Sequence, residues 1–143
     1  MSEQNLEREA DEKYKAWLED RHNPGLQTDA WIVLNDFLEK KPDDWKTLTR
    51  LAYVSSYRSG GYSFAIQHAK KASELRPENM LIKLFIADTF YMWGLDIKDS
   101  EKLEKVWNLY NMIFQENPVF SYFHDVTERK LRCIKKLWEY KKQ

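Results

Sequence analysis

Side chains able to do chemistry are few in this 143-residue chain and lie far apart. His22, His68 and His124 fall on different helices or turns, and no ligand set converges on any of them. The best metal-binding pair is His124 with Glu128, four residues apart on one helical face. Two donors do not complete a metal site. Cys133 is the single cysteine. Beside Ile134 in an amphipathic run, it reads as a small buried side chain rather than a nucleophile. Asp99, Glu101 and Glu104 gather at a helix start, where the helix dipole favours negative charge without any catalytic task. A glycine-rich phosphate loop, HExxH, CxxC and Gly-x-Ser-x-Gly are all missing. The expectation is a protein that is not an enzyme and uses no metal or cofactor.

What the sequence does offer is recognition chemistry. Aromatics make up 15%, with six Trp, eight Tyr and seven Phe. Most serve to fill gaps between crossing helices, and a few are free to anchor a partner, as Trp and Tyr do at interfaces. Formal charge is zero overall but graded along the chain. Residues 1–45 hold 12 acids and 6 bases, whereas residues 119–143 hold 7 bases and 3 acids. Such a gradient suits head-to-tail contacts or an acidic partner near the C-terminus, as well as ordinary solvated helix faces. The bases at Arg129, Lys130, Arg132, Lys135, Lys136, Lys141 and Lys142 lie near Tyr122 and Tyr140, so RNA is one alternative partner. Against it stand a pI near 6.8 and an acidic first third, since nucleic-acid domains carry a dominant basic footprint.

These groups must be positioned by helices. Glycine and proline number four each, too few for the turns of an all-β fold, which leaves an all-α chain. Three prolines, Pro42, Pro77 and Pro118, each follow an amphipathic run and precede another, at spacings of 35 and 41 residues. Seven helices are expected. The first covers about 5–20, with Leu6, Ala10, Tyr14, Trp17 and Leu18 inward. Asn23-Pro24-Gly25 reads as a turn, and Thr28 or Asp29 caps the second helix. Asp43 or Asp44 caps the third, which extends to about residue 59. The fourth is bounded by Gly60-Gly61 and Pro77, and the fifth, 78–93, is apolar around most of its circumference. A turn over 96–99 leads to the sixth. The seventh runs from about residue 121, with Phe123, Thr127, Leu131, Ile134 and Trp138 inward and its lysines and arginines outward. No apolar run approaches the roughly 20 residues that span a bilayer, and residues 1–10 are polar and acidic, unlike a signal peptide. With one cysteine, a cytoplasmic location is expected.

The stretch Gly60-Gly61-Tyr62-Ser63-Phe64-Ala65 through Ala69, Ala72 and Pro77 resembles the second helix of a tetratricopeptide repeat, a unit of 34 residues. Counting Pro77 as position thirty-two places Gly60, Tyr62, Ala65 and Ala72 at fifteen, seventeen, twenty and twenty-seven, where the pattern has Gly, an aromatic and Ala. The first helix departs from it, with Thr49, Tyr53 and Ser56 at the usual Trp, Gly and Tyr positions. The resemblance implies one domain over 1–143, an antiparallel stack of helix hairpins at about 5–42, 43–77 and 78–118, with a capping helix at about 121–140. It also implies that the first helix of each pair lines a concave groove for a peptide or helix of a partner protein. The groove positions are then Thr47, Arg50, Val54 and Tyr57 with Arg58 adjacent, followed by Leu81, Leu84, Asp88 and Tyr91, and by Tyr122, Asp125, Arg129 and Arg132. Guanidinium forks there suit an acidic partner. Val54, Leu81 and Asp88 depart from the residues that family members use to clamp a chaperone's C-terminal carboxylate. A regulatory subunit acting by self-association is the other alternative.

Overall fold

The computed structural model describes residues 2–142. Among them it is all-α, with eight helices: α1 (Glu3–Glu19), α2 (Pro24–Lys40), α3 (Trp45–Ser56), α4 (Tyr62–Leu75), α5 (Met80–Ile97), α6 (Ser100–Glu116), α7 (Pro118–Phe123) and α8 (Val126–Lys141). The chain divides into two compact units, Met1–Arg76 and Pro77–Gln143.

Six of the eight helix starts follow local side-chain chemistry. The first-turn N–H groups have no partner inside their own helix, so a short acceptor just upstream satisfies them. Asp44 accepts from the Thr47 N–H, Asp99 from those of Glu101 and Lys102, and Asn79 from those of Leu81 and Ile82. Asn23 accepts from Gly25 and Leu26 and puts Pro24 in the first turn. The segment expected as a turn therefore opens α2 with its cap at Asn23 rather than Thr28 or Asp29, because proline lacks the N–H that a first turn cannot use. Asn117 with Pro118 repeats the device and starts α7.

In the first unit α2 packs on both α1 and α3, and α3 on α4. Trp17 is fully buried in a core shared with Leu34, Phe37, Leu51 and Val54, and its indole N–H donates to the Arg21 carbonyl at 3.0 Å. Ala65, Ala69 and Ala72 on α4 are fully buried, the close-packed stripe that their spacing predicts. The α3–α4 turn is tight. Gly60 has φ +72, and a Cβ at Gly61 would stand 1.9 Å from the Ser55 carbonyl oxygen.

In the second unit α6 packs on α5 and α8, and the short α7 bridges α6 and α8. Helix α5 runs on to Ile97 rather than stopping at 93, with Gly94 buried near the Leu103 side chain. Lys98, at φ 51, and Asp99 make the turn into α6. The expected seventh helix is two. Asp125 adopts a left-handed conformation, φ 53, and separates α7 from α8. Phe123, expected inward, is exposed in α7. The buried face of α8 is Val126, Cys133 and Leu137, while Thr127, Leu131 and Trp138, expected inward, are exposed.

The two glycines of the α3–α4 turn separate by mechanism. Gly60→Ala is expected to cost about 1–2 kcal/mol, the penalty of a left-handed L-residue. Gly61→Ala is expected to cost more, because backbone must move to admit the methyl group. Urea denaturation of both variants checks this order, and a milder Gly61→Ala contradicts the turn geometry.

Candidate functional site

Groove positions in the first unit divide between structural and accessible roles. Val54 is fully buried in the core. Thr47 is buried and belongs to the α3 cap, its backbone N–H and Oγ1 both donating to Asp44 Oδ2. Arg50 is half-exposed. Its Nη1 donates to Asp11 Oδ1 at 3.0 Å, and its guanidinium lies 4.8 Å from the Tyr14 ring centroid. Lys15 also reaches Asp11, at 2.8 Å. The Lys15 ammonium, and then Arg50, hold the Asp11 carboxyl below the usual carboxylate range. Arg50 and Thr47 border a cleft of about 570 Å³ with Glu7, Asp11, Trp45 and Lys46. Asp11, on α1, was not nominated from the sequence.

Tyr57 and Arg58 belong elsewhere. The Tyr57 ring stands edge-on to Trp17, at 5.2 Å and 85°, and to Tyr53, at 5.4 Å and 88°. Arg21 donates to the Tyr53 hydroxyl at 2.7 Å. The Tyr53 phenol is pushed up to about 12 by burial and then by its Tyr57 neighbour. Tyr57 moves the other way, because the Tyr53 hydroxyl and Arg21 both stabilise its phenolate. Arg58 spreads over the Trp31 ring at 4.5 Å, and its Nη1 is buried without a hydrogen-bond partner.

In the second unit four nominated residues converge. Asp88 on α5 accepts from the Tyr110 hydroxyl at one oxygen and from Arg129 Nη1, at 2.6 Å, at the other. Arg129 Nε donates to the His124 carbonyl, which ties the guanidinium to the α7–α8 break. Burial, then the Asp88 charge, pushes the Tyr110 phenol far up, so it remains a hydrogen-bond donor at any working pH. Around this clamp Asp88, Tyr91, Met92, Tyr110, Arg129 and Arg132 line a cleft of about 270 Å³. Tyr91 is half-buried, with its phenol raised by desolvation. Met92 and Arg132 are exposed.

Leu84 is buried, and Leu81 is exposed. Tyr122 and Asp125 are also exposed and do not line the cleft. Met92 and Tyr110 were missed. Tyr110 shows only as a core position in the sequence, and its hydroxyl gains a role only where α6 crosses α5 beside Asp88.

The other reactive side chains are each held within their own helix packing. Cys133 is fully buried, its thiol directed at the Leu103 carbonyl and pushed up to about 11 by burial. Burial and then Lys71 lower the His68 imidazole. His124 stacks on Phe120 at 4.2 Å. Among the described residues no three His, Cys, Asp or Glu side chains cluster closely enough to hold a metal ion, and no helix is long and apolar enough to cross a membrane. No family model matches the chain, and no curated protein matches it.

Phenol ionisation, followed by ultraviolet absorbance, tests the tyrosine pair. Tyr57→Phe is expected to remove a step below the ordinary tyrosine range. It should also bring the Tyr53 step down from about 12, because the contribution of Tyr57, second only to burial, is gone. An unchanged late step contradicts the coupling.

Proposed function

We propose that this chain is a non-enzymatic, cytoplasmic protein-interaction module of tetratricopeptide-like build, which takes a peptide or helix of a partner in the cleft of its second unit. The observation that carries this reading is the convergence of Asp88, Tyr91, Arg129 and Arg132 on one open cleft. Their chemistry is complementary to an acidic segment with an apolar anchor. Arg129 is fixed by Asp88, while Arg132 has no ion-pair partner among the described residues. An exposed, unpaired guanidinium is free to fork onto a carboxylate. Tyr91 and Met92 supply the adaptable apolar wall that recognition surfaces favour.

RNA binding has less support. Arg129 pairs with Asp88, Lys136 with Glu139 and Lys141 with Glu104, and Lys130 lies over the Trp107 ring. Four of the seven C-terminal bases are thus engaged within the fold, and phosphate binding depends on free cations.

Affinity capture from a lysate of the source cells tests the cleft. Tyr91→Ala with Arg132→Glu is expected to lose about tenfold or more of a specific partner, as truncation of interface anchors does. The variant should remain folded with only a modest loss of thermal stability, since Tyr91 is half-buried and Arg132 is exposed. Equal recovery of every partner counts against the cleft.

A further inference from the structure

An apolar stripe of α8 faces outward. Leu131, Lys135, Trp138 and Lys142 follow one another at steps of four, three and four residues and so share a face. Leu131 is 61% and Trp138 62% exposed. Neither lysine has an ion-pair partner among the described residues. Two exposed apolar side chains two turns apart on one helix face offer a ridge that a partner can cover. None of these four residues lines the cleft around Asp88.

The first unit carries a surface of matching character. Along α2, Asp29, Ile32, Asp36 and Glu39 recur at steps of three, four and three, and all are exposed. Ile32, Asp36 and Glu39 border a second cleft, of about 640 Å³, with Glu9 from α1 and with Leu6 and Val33 at its floor. Lys40 closes one end. Glu9, Asp36 and Glu39 have no cation within ion-pair distance among the described residues. An apolar floor rimmed by three unpaired carboxylates thus faces solvent on one unit, and an apolar ridge studded with two unpaired lysines on the other.

We propose that the occupant of each surface is a second copy of this chain: the Leu131–Trp138 ridge of α8 lies in the Ile32 cleft of the next molecule. Lys135 and Lys142 then meet Asp36, Glu39 and Glu9 across the contact, and Trp138 supplies the central anchor. The two patches differ, so the contact is heterologous, and association continues head to tail into a chain or closes as a ring. A lipid surface fits less well. Only Lys135 and Lys142 lie unpaired on the stripe, whereas polybasic membrane patches hold roughly 4–8 bases.

Sedimentation velocity of the full chain tests this. At low ionic strength the wild type is expected to increase in mass with concentration beyond the dimer, and added salt should reverse it. Leu131→Ser with Trp138→Ser, and separately Ile32→Lys, change only exposed side chains and should each stay monomeric. Mixed together, the two variants should stop at a one-to-one dimer, because each retains one intact face. Glu39→Lys mixed with Lys135→Glu should recover association that either lacks alone. The proposal fails if the wild type stays monomeric, if the Ile32 variant still self-associates, or if the mixture stays monomeric. It also fails if anionic vesicles bind the wild type through Trp138 while no self-association occurs.

Discussion

A large aromatic ring with one polar atom to satisfy organises each unit. In the first, Trp17 is fully buried and its only donor reaches the Arg21 carbonyl just past the end of α1. In the second, Tyr110 is almost fully buried and its hydroxyl reaches Asp88. Burying such a ring stabilises the packing, but an unmet N–H or O–H would cost about 1–3 kcal/mol of that gain. The partner is therefore fixed in place with the ring. Tyr53 and Tyr57 pack edge-on around Trp17, which joins α3 to α1. Asp88, held by Tyr110, in turn holds Arg129 and joins α8 to α5. The cleft of the second unit is an outgrowth of its core hydrogen bonding.

Elements with strong local signals were legible in the sequence. The alanine stripe of α4, the cap at Asp44 and the start of α6 at Asp99 follow from residue types that have few alternatives. Two features escaped because their signal is ambiguous locally. An Asn-Pro pair serves a turn or a helix start equally well, and the neighbouring packing decides which. The left-handed Asp125 carries no sequence mark as firm as glycine, so a continuous helix was the natural reading of residues 121–140. Residues 126–141 carry two apolar stripes, 126–133–137 and 127–131–134–138, and periodicity alone does not say which one packs, so the wrong face was chosen.

The candidate site was legible in part for the same reason. Repeat-position counting identifies residues on a helix face but not whether that face is covered. Thr47, Val54 and Leu84 satisfy the count and are buried. Asp88, Tyr91, Arg129 and Arg132 satisfy it and converge. Met92 and Tyr110 depend on how α5 and α6 cross, which no local pattern encodes. Charge counting was similarly incomplete. The bases of α8 suggest a polycation, yet rings and carboxylates of the same unit engage four of them.

The buried Cys133 has a use of its own. It is the only thiol in the chain, its Sγ is aimed at the Leu103 carbonyl, and burial keeps it protonated. A thiol reagent therefore meets nothing until α8 lifts from α6, and the rate of labelling reads that opening directly. The second unit carries a built-in clock for its own local unfolding, in a chain with no other cysteine to blur the signal.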